Sequence, residues 1–210
     1  MENPYLDSSI ERGVFDKKYP SHSEAMVDDE MVWEKFKKGD KAALTFIYRN
    51  YANPLYNYGC QLTSKEIVKD AIHDLFIEII NNKERLGNTN SIKYYLFKSL
   101  RNKLVKVLTK MAKEHSGDLN DTYPFEISIS PELVLINQQM DEDKRRMIAA
   151  KLNELPPLQK EALLLFYYEG LKYDQIASLL GMKVKSARAL VYRGIDSMSK
   201  LLIPVRKNLL

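Results

Sequence analysis

Cationic and short polar side chains share one stretch near the C-terminus, KVKSARALVYR, in which no acid interrupts them. Lysine and arginine attract DNA phosphates, and serine and arginine side chains can also hydrogen-bond to base edges. On a helix, this spacing predicts a face that binds duplex DNA, although an ordinary helical hairpin with a solvated basic face would show the same pattern. The residues predicted to contact the duplex are Lys183, Lys185, Ser186, Arg188, Tyr192 and Arg193.

Residues 91–113 form a second unusual segment, SIKYYLFKSLRNKLVKVLTKMAK, which is rich in cations and contains no acid. Aromatic rings near its start can stack on unpaired bases while the cations neutralise phosphates, which is the chemistry that binds single-stranded nucleic acid. A basic solvated helix whose aromatic residues belong to the core is the alternative. Helical spacing predicts a buried stripe made of Leu96, Leu100, Leu104, Val107 and Met111.

A predicted helix-turn-helix between Tyr173 and Met198 holds the first of these stretches. Gly181 interrupts the helical pattern and can adopt the left-handed backbone conformation that ends a helix. Lys183 stands where serine or threonine normally caps the next helix, so we expect that helix to fray until a phosphate binds its free amides. The predicted core positions are Tyr173, Ile176, Ala177, Leu179 and Leu180 in the first helix, and Val184, Ala187, Val191, Ile195 and Met198 in the second.

The composition, 45% hydrophobic and 29% charged over 210 residues, is typical of a globular protein. The net charge is only +4, so the local basic segments carry the prediction of DNA binding. Cys60 is the single cysteine, which excludes an intramolecular disulfide and fits a reducing compartment. No apolar run has the length of a membrane span or the pattern of a signal peptide, so we expect a cytoplasmic protein.

Helical periodicity predicts an all-α fold, with two small helical domains joined by a flexible linker and the helix-turn-helix in the C-terminal domain. Residues 1–30 are predicted to be a loose N-terminal extension, and residues 31–112 the first helical domain. Residues 113–130 contain Gly, Asp, Asn and Ser without periodicity and are predicted to be the linker. Residues 131–210 form the second domain, which opens on a long helix and continues into the helix-turn-helix.

Caps and breaks are predicted within the first domain. Asp40 and Ser64 stand at positions that cap helices, and Pro54 indicates a kink or a break. The helix after Ser64 buries one broad apolar face, while its opposite face is a candidate surface for docking a protein. No other histidine or carboxylate cluster completes a catalytic or metal site there. The residues on that opposite face are Asp70, His73, Asp74 and Ile77.

Two separated segments resemble one family, the extracytoplasmic-function (ECF) sigma factors of bacterial RNA polymerase. The C-terminal segment, LNELPPLQKEALLLFYYEGLKYDQIASLLGMKVKSARALVYRGI, resembles their region four. In the N-terminal half, VKDAIHDLFIEII resembles the helix that docks on the polymerase clamp, and YYLFKSLRNKLVKV resembles the segment that holds the melted promoter. The resemblance covers most of residues 34–203, with both parts in the expected order.

The resemblance implies a role for each of these surfaces. It assigns the face with Asp70 to the polymerase clamp, and the basic face with Arg193 to the minus-thirty-five element in duplex form. The residues it assigns to the melted minus-ten element are Tyr94, Tyr95, Lys98, Arg101 and Asn102.

The implied partners are core RNA polymerase, promoter DNA and an anti-sigma factor, with no cofactor and no membrane insertion. A transcriptional regulator that binds duplex DNA without polymerase remains an alternative at this point. An enzyme is disfavoured, because the sequence lacks a Walker loop, a dinucleotide fingerprint, a zinc-protease motif and a nucleophile elbow.

Overall fold

The structure, a computed structural model, describes residues 28–116 and 150–207. Every regular element in these two ranges is helical, which confirms the all-α class. We call residues 28–116 the N-terminal unit and residues 150–207 the C-terminal unit. The helices are α1 (Asp29–Lys37), α2 (Lys41–Gly59), α3 (Lys65–Asn81), α4 (Ile92–Ser116), α5 (Pro157–Leu163), α6 (Tyr173–Leu180) and α7 (Val184–Lys207). A 3₁₀ turn (Lys83–Arg85) follows α3, and a π-helical turn (Leu164–Tyr168) follows α5.

Large apolar side chains at helical spacing form the core of the N-terminal unit. Trp33 of α1, Leu55 of α2, Leu75 of α3 and Leu100 of α4 are all almost completely buried. The indole Nε1 of Trp33 donates to the carbonyl oxygen of Gly87 at 2.9 Å, so the polar edge of this buried ring is satisfied. These contacts hold α4 against the other three helices of the unit.

Two aspartates accept hydrogen bonds from the first amides of helices in the N-terminal unit, one at α2 and one at α4. Asp40 caps α2, because its carboxylate accepts from the amides of Ala42 and Ala43 at 2.7 and 3.3 Å. Asp29 of α1 acts at long range, since its Oδ2 accepts from the first amide of α4, that of Ile92, at 2.9 Å. A carboxylate at a helix N-terminus satisfies a free amide and favours the positive end of the helix dipole.

Several predicted details of the N-terminal unit are wrong. Pro54 lies inside a continuous α2, so the predicted break is absent, and the alternative of a kink stays a prediction. Ser64 occupies the N-cap position of α3, but its side chain makes no capping hydrogen bond. Val107 and Met111 are 38% and 40% exposed, so the fully buried part of the predicted stripe ends at Leu104. Helix α4 runs to Ser116, and the domain boundary at residue 112 stays a prediction.

The C-terminal unit contains the predicted helix-turn-helix. Helix α6 ends at Gly181, which has a φ of 68° in the left-handed region, and α7 begins three residues later at Val184. Ala187 and Val191 are buried as predicted, but Val184 and Ile195 are 44% and 37% exposed. The buried face of α7 is instead completed by Leu190 and Gly194, which lie beside α5 and its neighbours.

Three predicted segments lie largely outside the described residues. These are the N-terminal extension, of which only residues 28–30 are described, the linker beyond Ser116, and the long helix after residue 130. Helix α1 begins at Asp29, so the last two residues of the predicted extension belong to its first turn.

The left-handed turn at Gly181 predicts a measurable effect on stability. Gly181→Ala should lower the free energy of unfolding by about 1–2 kcal/mol, because an L side chain is strained at positive φ. Gly181→Asn should cost less, since asparagine tolerates this conformation. Urea unfolding followed by circular dichroism measures both changes.

Gly87→Ala is the matched control, because Gly87 has no positive φ and an added Cβ would meet no atom within 4 Å. Equal losses for Gly181→Ala and Gly87→Ala would contradict the role given to the turn.

Candidate nucleic-acid interface

The residues predicted for duplex DNA lie together on one exposed face of α7 and its preceding turn. Lys183, Lys185, Ser186, Arg188, Tyr192 and Arg193 are all exposed. We call this surface the basic face of α7. Arg193 Nε donates to the carbonyl oxygen of Ala189 at 3.3 Å. The face is open to a phosphate backbone along two helical turns, which is the geometry a recognition helix requires.

Aromatic rings support Arg188 within this face. Its guanidinium lies over the ring of Tyr173, 5.2 Å from the centroid, and that ring is stacked on Phe166 at 4.7 Å. A cation above an aromatic ring is attracted by the ring's negative face. Tyr173 was predicted as core and is half-buried, so the ring serves both packing and the positioning of Arg188.

Helix α4 divides the predicted melted-strand residues between two of its faces. Tyr94, Lys98 and Arg101 follow one another at spacings of four and three residues and point toward the C-terminal unit. We call them the contact face of α4. Tyr95 and Asn102, seven residues apart, lie on the other side and line a groove against α3. The structure therefore does not bring all five residues to one surface.

The groove between α3 and α4 has a volume of about 690 Å³ and unlike walls. Acids of α3 form one wall, while Asn102, Lys103 and Lys106 of α4 form the other. Lys103 bridges the groove by pairing with Glu78. Of the predicted polymerase-facing residues, Asp70 and Asp74 line the groove. His73 is exposed beside them, and Ile77 is half-buried.

Tyr95 is anchored at this groove by its own packing. Its ring lies 4.9 Å from that of Trp33, a fully buried residue of α1. Burial raises the pKa of the Tyr95 hydroxyl above its ordinary value. The ring is thus half inserted in the core, which leaves one edge for a ligand in the groove.

The contact face of α4 meets a buried carboxylate from the C-terminal unit. Glu161 of α5 is only 1% exposed, and its Oε1 accepts from the Tyr58 hydroxyl at 2.7 Å and from Arg101 Nε at 2.9 Å. Arg101 Nη2 lies 3.4 Å from Oε2, and Nη1 donates to the carbonyl oxygen of Leu179 at 3.2 Å. Arginine and carboxylate thus form the two-pronged pair that their planar shapes favour.

Burial and charge act in opposite directions on this cluster. Burial raises the pKa of Tyr58 well above its ordinary value, and the negative charge of Glu161 raises it further. Burial is the largest single effect on the pKa of Arg101 and lowers it, but the charge and hydrogen bonds of Glu161 and Tyr58 together outweigh burial, so the pKa is raised. Arg101 therefore stays cationic, and Tyr58 stays a hydrogen-bond donor.

Two further polar contacts join the units beside Glu161. The hydroxyl of Ser178, on α6, accepts from the Tyr94 hydroxyl at 2.8 Å and from Lys98 Nζ at 2.9 Å. Lys93 pairs with the buried Glu169 at 2.8 Å. Burial raises the pKa of Glu169 more than the adjacent Lys93 lowers it. The other carboxylate oxygen, Oε1, has no hydrogen-bond partner among the described atoms.

Sequence reasoning missed the residues on the C-terminal side of this contact, Glu161, Glu169 and Ser178. One signal was available, since Glu161 and Glu169 flank the apolar run LLLFYY, where a buried acid needs a cationic partner. Helical periodicity does not indicate which lysine or arginine pairs with each of these acids. Within residues 28–116 and 150–207, no cluster of histidine, cysteine and carboxylate side chains could hold a metal ion. No helix in these ranges is both long and apolar enough to cross a membrane.

Comparisons with known proteins relate both halves of the chain to one group of transcription factors. The family model "Sigma-70, region 4" matches residues 145–198, which include the helix-turn-helix. The ECF RNA polymerase sigma-E factor of Haemophilus influenzae is 20% identical over 192 residues, covering 87% of this chain and 99% of the relative. That of Escherichia coli K12 is 20% identical over 188 residues, covering 87% and 98%.

Solved structures show the same fold. CnrH, in complex with the cytosolic domain of CnrY, matches with a TM-score of 0.55 and 17% identity, covering 84% of this chain and 97% of that one. The sigma factor RpoE, in complex with the anti-sigma factor NepR from Bartonella quintana, matches with a TM-score of 0.53 and 20% identity, covering 80% and 97%.

The raised pKa of Glu169 predicts a pH dependence of stability. The folded state favours the protonated carboxyl, so its contribution is fully present below the ordinary pKa of 4.5 and is lost as the pH rises through the raised value. Glu169→Gln removes this titration. Relative to the variant, the wild-type protein should therefore lose stability as the pH rises above 4.5, as measured by urea unfolding at a series of pH values.

Glu154→Gln provides the control, because Glu154 is an exposed glutamate of the same unit. Wild-type and Glu169→Gln stabilities that change in parallel with pH would count against this account of Glu169.

Proposed function

We infer that this chain, a member of the ECF group of sigma-70 factors, binds core RNA polymerase and directs promoter-specific initiation of transcription. The observation that carries this function is the match of nearly the whole chain to ECF sigma factors, with the region 4 match falling on a helix-turn-helix whose basic face is exposed. A regulator with an unrelated N-terminal half would not extend the similarity over 87% of the chain.

In this proposal the two domains of the chain bind different elements of the promoter. Residues 131–210 read the minus-thirty-five element as duplex DNA, with the basic face of α7 in the major groove. Residues 31–112 bind the polymerase and capture the melted minus-ten element. Residues 113–130 link these two domains, and residues 1–30 are an extension.

Capture of the melted strand is assigned to α4. Its aromatic rings can stack on unpaired bases, and its cations can hold phosphates, which offsets the few kcal/mol that unpairing costs. Tyr95 and Asn102 contribute from the groove, where a ring edge and an amide are accessible. Tyr94, Lys98 and Arg101 contribute from the contact face once it is uncovered.

The exposed acidic side of α3 is the proposed polymerase-docking surface. Asp70, His73 and Asp74 are exposed there, and the half-buried Ile77 adds an apolar contact. A surface of this kind suits a basic partner with an apolar centre, since rim charges orient the complex while apolar area stabilises it.

The regulation and the cellular location proposed for this chain are those of ECF sigma factors. The two structural neighbours were solved with CnrY and with the anti-sigma factor NepR, and an anti-sigma partner is accordingly proposed for this chain. The chain performs no chemistry of its own in this proposal, because the polymerase synthesises the RNA. Its site of action is the cytoplasm, where polymerase and promoters are found.

Run-off transcription tests this function. The purified chain is added to bacterial core polymerase on a pool of genomic promoter fragments, and specific transcripts absent without the chain are expected. Asp70→Lys combined with Asp74→Lys should reduce those transcripts severely by reversing the charge of the docking surface.

Glu84→Lys is the matched control, since Glu84 is also an exposed acid of the N-terminal unit but lies on the turn after α3. Clear duplex binding without any transcript would instead favour the transcriptional-regulator alternative, which predicts a palindromic site.

The contact between Arg188 and the Tyr173 ring predicts that substitutions of these two residues have coupled effects on promoter recognition. Arg188→Ala should cost about 1–3 kcal/mol of discrimination at one base pair, if the guanidinium contacts a guanine edge. Tyr173→Leu should reduce discrimination at the same base pair by about 0.5–1 kcal/mol, because the cation loses its ring. The double variant should lose little more than Arg188→Ala alone.

Titrations of duplex promoter fragments carrying each base pair at every minus-thirty-five position measure this coupling. Tyr173→Phe keeps the ring and should behave like the wild-type protein. Additive losses, or effects at different base pairs, would show that Tyr173 does not position Arg188.

A further inference from the structure

One small apolar residue, Ala189, lies exposed in the middle of the basic face of α7. Its neighbours on the helix surface, three and four positions away, are all exposed and all carry polar groups. They are Lys185, Ser186, Tyr192 and Arg193. The Ala189 methyl group thus forms the floor of a notch with a polar rim. We propose that this notch receives the 5-methyl group of a thymine, which makes Ala189 a specificity-determining residue of the duplex interface.

The chemistry of the major groove makes an apolar floor selective. Guanine, cytosine and adenine present hydrogen-bond donors and acceptors at their major-groove edges, whereas thymine also presents a methyl group. Contact between two methyl groups removes apolar surface from water, which is favourable. Covering a cytosine amino group with the Ala189 methyl would instead leave a donor without a partner. The notch therefore favours thymine at the base pair that it covers.

Packing behind α7 holds Ala189 at the outer surface. Ala187 and Val191 are fully buried on the other side of the helix. Gly194 lies directly against Leu163 of α5, where an added Cβ would be 2.8 Å from the leucine side chain. These contacts fix the rotation of α7 about its own axis. A methyl contact needs such precision, because a gap of about 1 Å already removes a large part of the dispersion attraction.

The small size of Ala189 sets how closely α7 can approach the bases. Lys185 and Arg193 lie one turn before and one turn after it, and both side chains are long enough to reach phosphates or base edges. A longer side chain at position 189 would fill the notch between them and hold the helix away from the floor of the groove. Alanine leaves room for the thymine methyl and still contacts it.

Arg193 determines which base pair lies beside this thymine. Its Nε donates to the carbonyl oxygen of Ala189 at 3.3 Å, so the guanidinium lies back over the turn that presents the Ala189 methyl. The two terminal nitrogens are then the pair left to contact O6 and N7 of a guanine. Stacked base pairs are about 3.4 Å apart, so two groups on one turn reach adjacent pairs. The bound element therefore contains a T·A pair next to a G·C pair.

This inference rests on the duplex-reading role proposed for the basic face of α7 and adds a base preference to it. Full-length chain, with and without core polymerase, selects bound duplexes from a random pool, and the enriched site is the probe. Each thymine is replaced in turn by deoxyuridine, which lacks only the methyl group. Replacing the thymine next to the guanine should weaken binding about fourfold, the factor for one methyl group returned to water. Fluorescence anisotropy measures each affinity.

A second substitution in the DNA separates the methyl group from the rest of the base. Cytosine and 5-methylcytosine replace the same thymine, and each is paired with guanine. The 5-methylcytosine duplex should bind about fourfold more tightly than the cytosine duplex, because it restores only the methyl group. Equal affinities for thymine and deoxyuridine at every position of the enriched site would overturn the proposal.

Ala189→Gly tests which residue makes the contact. The variant removes the floor of the notch, so thymine and deoxyuridine should bind equally at the position next to the guanine. Ser199→Gly is the matched control, because it places the same helix-weakening residue at an exposed position of α7 outside the basic face. It should keep the fourfold difference. A difference that persists in Ala189→Gly would remove Ala189 from the contact.

Two further variants keep the test independent of helix weakening by glycine. Ala189→Ser retains a short side chain but places a hydroxyl against the methyl group, and it should also lose the preference for thymine over deoxyuridine. Arg193→Ala should relax the preference at the guanine and keep the difference between thymine and deoxyuridine at the adjacent pair. Relaxed preference at a pair that is not adjacent would contradict the arrangement given for Ala189 and Arg193.

Failure of this inference can be separated from failure of the proposed function. Promoter-specific transcripts from the wild-type chain, with no effect of deoxyuridine at any position, would leave the sigma function standing and remove the methyl contact. A deoxyuridine effect that Ala189→Gly abolishes, with no transcript under any condition, would support the methyl contact and remove the sigma function.

Discussion

Burying a carboxylate away from water is costly unless hydrogen bonds and an opposite charge compensate it. Glu161 meets this condition only through residues of the other unit, since its partners are Tyr58 of α2 and Arg101 of α4. The two units are therefore held in the relative position at which Tyr58 and Arg101 can both donate hydrogen bonds to Glu161. The neighbouring contacts of Ser178 and Glu169 follow the same alignment of α5 and α6 along α4.

A buried ion pair of this kind specifies an arrangement without making it very stable. The desolvation of both charges offsets much of their attraction, although removing one partner alone leaves an uncompensated charge. Glu169 illustrates the balance, because burial raises its pKa despite the adjacent Lys93. Such pairs therefore fix which surfaces of the two units meet more than they add to the free energy of unfolding.

Helical periodicity was sufficient to predict the all-α class and most of the core. Leu96, Leu100 and Leu104 are buried as their spacing indicates, because α4 packs against other helices along that length. The same rule failed for Val107, in the second half of α4, and for Val184, at the start of α7, since a periodic stripe shows which face is apolar but not which of its residues a neighbouring helix covers. The role of Gly181 was predictable, because α6 ends in a left-handed backbone conformation that glycine adopts without strain.

The division of α4 into two faces could not be predicted from sequence. Tyr94 and Tyr95 are adjacent in the chain, yet one meets Ser178 and the other rests on Trp33, because successive residues on a helix point about 100° apart. Glu161 of α5 and Ser178 of α6 decide which face is covered. The available signal was the pair of acids, Glu161 and Glu169, at the ends of an apolar run. The cations of α4 and the buried Glu161 of α5 therefore encode an attraction between the two units, and Arg101 is the residue through which that attraction acts.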